Sequence, residues 1–121
     1  MQKELIASNP LLRLTFDFSL MVIAYCEQIE SRRKFVLARQ LIRSGTSIGA
    51  NAMEAQNAES RGDFFHKLKI STKEADETQY WLLLCQSSSE HGYPDCANLL
   101  SKLEEIQKLL NKIVSSRKTM C

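Results

Sequence analysis

The sequence predicts an all-α protein, an up-down-up-down four-helix bundle, and three observations carry that prediction. Apolar residues recur in alternating steps of three and four along four long segments, the spacing that gathers them on one helix face. No segment alternates with period two over a useful length, so no strand is required. With 4 glycines and 2 prolines in 121 residues there is little turn chemistry, so the elements are few and long. The length predicts a single domain, residues 1–121, with helices at about 10–30, 34–57, 62–88 and 94–117.

Asn9 followed by Pro10 predicts the first helix start, an N-cap with proline in the first turn. Leu11, Thr15, Phe18, Val22, Tyr25 and Ile29 form one apolar stripe, with Leu12, Phe16, Ser19, Ile23 and Cys26 beside it, together a broad core face. The polar run 30–34 (ESRRK) breaks it. The second helix carries Leu37, Leu41, Ser44, Ile48, Asn51 and Ala55 on one stripe and Ala38, Ile42, Gly45, Gly49 and Ala52 on the next. Both run through "RSGTSIGANAMEA" (43–55) without the phase slip a loop would cause. A turn at 57–63 (NAESRGD) leads to the third helix, with Phe64, Leu68, Ser71, Ala75, Thr78, Leu82 and Cys85 on one face. Its end, "YWLLLC", is apolar almost all round, which predicts either wrapping by the rest of the chain or contact with another subunit. Gly92 and Pro94 stop it. The fourth helix carries Leu99, Leu103, Ile106, Leu110 and Ile113, and "SSRKTMC" is expected to fray.

Composition excludes several classes. A net charge of +2 does not by itself announce a nucleic-acid binder. No targeting signal is visible, and no apolar run approaches ~20 residues, so no membrane span and a cytoplasmic location are expected. Cys26, Cys85, Cys96 and Cys121 match no zinc or redox spacing. The first two read as small hydrophobes, the last two as incidental thiols.

The glycine-rich stretch is not a phosphate loop: no strand precedes it, and no GK[ST] follows it. As a helix it carries two interior glycines, each about 1 kcal/mol less favourable than alanine. Gly45, Gly49 and Ala52 share a face and predict a close-packing seam against a neighbouring helix, and the stretch as a whole is expected to face the third helix of the same or the next subunit. Arg43, Ser47, Asn51 and Glu54 line the neighbouring edge. Opposite Lys73, Glu74, Glu77 and Thr78, they predict a structural polar network with Arg–Glu and Asn–Thr contacts. A di-metal site would need two Glu-x-x-His pairs, and Asp63–His66 is the only acid-x-x-His pair, so no metal and no cofactor are expected. No GxSxG elbow is present. An enzyme with a carboxylate site at Glu54, Glu74 and Glu77 is the least favoured reading, and the expectation is no enzyme.

These residues resemble a known family. Arg43, Ser47-Ile48, Asn51, Glu54, Asp63-Phe64, Lys73-Glu74-Ala75, Glu77-Thr78 and Tyr80-Trp81-Leu82 are similar to the pattern of the four-helix-bundle rRNA intervening-sequence proteins. Two positions depart from it: Ala55, where many relatives have glycine, and Ala52, where a larger apolar residue is common. The resemblance implies a ring-like homopentamer without known enzyme activity. It also implies association with nucleic acid or ribonucleoprotein, or a scaffold role as an accessory to a reverse transcriptase, as in a related group. Tyr80, Trp81 and Leu84 are then candidate oligomer contacts. Arg32, Arg33, Lys34, Lys67, Lys69 and Lys73 are candidate nucleic-acid contacts, with RNA, DNA and a protein as candidate partners.

Overall fold

The computed structural model describes residues 2–119, without the side chains of 118 and 119; Cys121 lies outside the described residues. The described residues are all-α, with five α-helices rather than four: α1 (Gln2–Ser8), α2 (Pro10–Glu30), α3 (Phe35–Ala55), α4 (Arg61–Gln86) and α5 (Ala97–Thr119). The unexpected element is α1. Pro10 has no N–H for the helix to continue through, and it pushes Asn9 into the extended region at φ −101°, ψ 116°. The Asn9 carboxamide oxygen accepts from the backbone N–H groups of Leu11 and Leu12, at 3.0 and 3.2 Å. The cap starts α2 while α1 closes on its other side, and the two helices meet at 104°. No single helix among the described residues is long and apolar enough to cross a membrane.

Each long helix buries one stripe. α2 buries Leu11, Leu12, Thr15, Phe18, Val22, Tyr25, Cys26 and Ile29, and the Thr15 hydroxyl is satisfied by the Leu11 carbonyl at 2.8 Å. Its second stripe is only half in the core. Leu12 and Cys26 are buried, whereas Phe16 and Ile23, with Leu20, face outward. In α4 the buried register begins at Phe65 rather than Phe64 and continues through Leu68, Ser71, Ala75, Thr78, Leu82 and Cys85. Ser60 caps this helix by accepting from the Asp63 N–H, and Asp63 accepts from the Glu59 N–H in return. α5 buries Leu99, Leu103, Ile106 and Leu110 and stays helical to Thr119, beyond the expected fraying point.

The helices pack in a cycle, α2 on α3, α3 on α4, α4 on α5 and α5 on α2, with α1 against α2. Tyr25 donates its hydroxyl to the Pro94 carbonyl at 2.8 Å. Gln86 clips the α4–α5 connector, donating to Asp95 and accepting from the Cys96 N–H, each at 2.7 Å. Cys96, expected to be incidental, is fully buried by this clip, and its thiol donates to the Leu82 carbonyl. Burial pushes the Cys96 thiol up to about 11 and that of Cys26 up to about 12, so both stay protonated at neutral pH.

Candidate functional site: the α3–α4 face and its surroundings

Residues 43–55 are helical throughout, and the two sides of this stretch hold different neighbours. The stretch faces α4, the third predicted helix, through Arg43, Ser44 and Ile48, while its glycine seam meets α2. A Cβ built on Gly45 would lie 3.0 Å from both Cγ atoms of Val22, and one on Gly49 would lie 3.2 Å from Cβ and Oγ1 of Thr15. Ala52 is buried on the same side. The physical reason is height: β-branched Val22 and Thr15 stand where only a missing side chain lets the α2 and α3 backbones come this close.

The adjacent stripe of α3 faces α4 through hydroxyl groups. Thr78 donates to the Ser44 hydroxyl at 2.9 Å, and Ser71 donates to the Ile48 carbonyl at 2.7 Å. Ser44, Ser71 and Thr78 are fully buried, and no buried side-chain polar atom among the described residues lacks a partner. The Asn–Thr contact expected from sequence is absent. Asn51 instead donates to the Ser47 carbonyl and Ser47 to the Arg43 carbonyl, so both bond within their own helix. Ser44 and Ser71 were missed as interhelical partners because small hydroxyl residues in an apolar stripe read as filler.

Outside this layer sits the ionic part of the network. Arg43 donates to Glu74 at 3.3 Å and to Glu77, and the Trp81 indole donates to the same Glu77 carboxylate at 3.0 Å. The Arg43 hydrogen bond, reinforced by Trp81, holds the Glu77 carboxyl below its ordinary value of 4.5. A carboxylate with a lowered folded-state pKa stabilises the fold above its unfolded value, and that stabilisation disappears as pH falls through the folded one. Glu77→Gln is therefore expected to flatten the loss of stability on acidification below about pH 4.5, read by urea midpoints at several pH values. An unchanged acid profile would show that the pair is fully screened, as exposed pairs can be.

Glu54 lies apart from Glu74 and Glu77. It is bound to Lys67 at 3.1 Å, eleven positions beyond Arg43 on α3 and about 16 Å along the axis. The three carboxylates therefore form two separate ion-pair sites, not one catalytic cluster.

The remaining candidates divide by what already holds them. Arg32 donates to the Gly92 carbonyl at 2.7 Å, and the Lys34 ammonium lies over the Tyr93 ring at 5.4 Å from its centroid. Lys67 is paired with Glu54. Arg33, Lys69 and Lys73 are exposed, and the last two stand one turn apart on α4. Trp81 is half-buried against Glu77, while Tyr80, Leu83 and Leu84 are 58%, 48% and 36% exposed. A second apolar stripe, Phe16, Leu20 and Ile23, runs along the outside of α2 at 47%, 52% and 38% exposure. Single-sequence periodicity placed Phe16 and Ile23 in the core because an outward-facing apolar stripe has the same spacing as a core stripe.

The comparisons with known proteins agree with the residue pattern. A crystal structure of a protein of unknown function from the S23 ribosomal protein family of Bacteroides thetaiotaomicron superposes with a TM-score of 0.79 at 37% sequence identity. The match covers 86% of this chain and 97% of that one. No curated protein matches. The 23S rRNA-intervening sequence protein family matches residues 9–112, from the cap of α2 to the last turns of α5, and the chain belongs to that family.

Proposed function

We propose that this protein is a non-enzymatic, cytoplasmic, up-down-up-down four-helix bundle with α1 as an addition, whose copies close into a ring and bind nucleic-acid phosphates. The carrying observation is the pair Lys69 and Lys73, exposed one turn apart on α4 with no carboxylate partner among the described residues, where Lys67 and Arg43 are engaged. Two cations per copy are a modest patch. Repeated around a ring they become a continuous track, and an RNA or DNA backbone is the polyanion that fits such a track.

The ring is supported by the two apolar stripes. Tyr80, Leu83 and Leu84 on α4 differ from Phe16, Leu20 and Ile23 on α2, and unlike patches pair head to tail, the arrangement that forms a ring when the rotation between copies closes. The number five comes from the family resemblance. The free thiols of Cys26, Cys85 and Cys96 suit a reducing compartment.

Binding of mixed-sequence RNA, followed by fluorescence anisotropy, is expected to weaken steeply with salt. Lys69→Ala and Lys73→Ala should each lower the log–log slope by about one per lost phosphate contact. Undetectable or salt-independent binding at low ionic strength would reject the nucleic-acid reading and leave the apolar stripes as evidence for a protein-binding scaffold.

A further inference from the structure

The two ends of the bundle are chemically complementary. At one end, the α2–α3 connector projects Arg33 beside Phe35 and Val36, which are 49% and 73% exposed. Arg33 occupies the left-handed backbone region at φ 64°. Its own N–H donates to the Glu30 carbonyl, and the next N–H, of Lys34, returns to the Ile29 carbonyl, closing α2. Glycine fits such a helix-ending position without strain, whereas an arginine is held there against its backbone preference. Its side chain has no partner among the described residues. A strained residue with an unengaged charged side chain is a candidate for a role outside its own fold.

At the other end, α1 overhangs the last turn of α3 and leaves an open groove of about 560 Å³, with Leu5 and Met53 as its apolar walls. The groove continues toward the start of α4, where Glu54, Glu59 and Asp63 border it; Lys67 lines it paired with Glu54, and Arg117 stands nearby, over the Phe65 ring and beside Gly62. The family match starts at residue 9, so the wall that α1 supplies lies outside it.

The two features cannot meet within one molecule. They sit at opposite ends of α3, a 21-residue helix, about 30 Å apart. An apolar and cationic corner and an apolar and anionic groove on one rigid body describe a contact between copies. We propose that the Arg33–Phe35–Val36 corner of one copy docks into the Leu5–Met53 groove of another, with Arg33 facing Glu59 and Asp63. The contact is head to tail along the bundle axis, so it stacks copies end to end. It is separate from the ring contact and does not depend on it.

Sedimentation velocity of the full chain tests this. At low salt the wild type is expected to show larger species that grow with concentration and shrink at high ionic strength, as screened pairs do. Arg33→Glu or Glu59→Lys, both exposed positions, should each remove the larger species while leaving the helical circular-dichroism spectrum intact. The double variant Arg33→Glu/Glu59→Lys should restore them. A single size at every concentration and salt, or growth that survives Arg33→Glu, overturns the proposal. Loss of RNA binding in Arg33→Glu with unchanged sedimentation also overturns it, by assigning Arg33 to nucleic acid.

Discussion

Leucine in place of Gly45 is expected to destabilise the protein by about 3 kcal/mol or more, at or above the top of the usual range for overpacking a core. The space is tight: even a methyl group would sit 3.0 Å from both Cγ atoms of Val22. Val22 is fully buried and β-branched, so it has no alternative rotamer to retreat into without moving α2. Alanine at the same position separates two opposing effects. It gains about 1 kcal/mol of helix propensity over glycine and meets the clash with Val22. Net destabilisation by Gly45→Ala in urea melts would show that the clash wins. The double variant Gly45→Ala/Val22→Ala should be less unstable than the sum of its parts, with a coupling of about 1–3 kcal/mol. Full additivity would mean that the seam does not exist as described. A stabilised Gly45→Ala would mean that α2 yields easily.

The second large effect is on assembly. Leu84→Glu is expected to convert the proposed ring to monomers at micromolar concentration, read by light scattering. Covering the exposed third of the Leu84 side chain is worth roughly 0.5–1 kcal/mol per contact, and each 1.4 kcal/mol is tenfold in affinity. Placing a carboxylate there adds a desolvation penalty. Leu84 is 36% exposed in the protomer, so the fold itself should tolerate the change. Leu20→Glu on α2 should act equally, because it damages the other half of the same contact. Mixing the two variants gives the sharper result: one face remains intact on each, so a single head-to-tail pair forms and the ring cannot close. A monomeric wild type, or rings that survive both substitutions, would remove the ring from the proposed function.

The four long helices were legible because each carries its apolar residues in steps of three and four over 15 to 22 positions, long enough for the period to emerge. The seven residues of α1 are too few for that, and Asn9-Pro10 announces the start of α2 without showing that another helix ends there. The Arg43–Glu74–Glu77 cluster was legible because helical spacing alone puts those charges at matching heights on antiparallel neighbours. The seam's partner was not legible. Both neighbours of α3 offer small or branched residues at the right height, Ser71 and Ala75 on α4 and Val22 and Thr15 on α2, and choosing between them needs the rotation of α3 about its own axis. The exposed Phe16 and Ile23 were misread for a related reason: spacing reports a face but not what covers it.

The buried hydroxyls between α3 and α4 have a mechanical consequence. Sliding one helix past the other by a turn, about 5.4 Å, would take Ser71 away from the Ile48 carbonyl and separate Ser44 from Thr78, in a layer buried from solvent. The hairpin is therefore stiff against shear, as the apolar contacts around it are not. A load applied to the outer face of α4 passes to α3, and through the glycine seam to α2, before any helix shifts along its length.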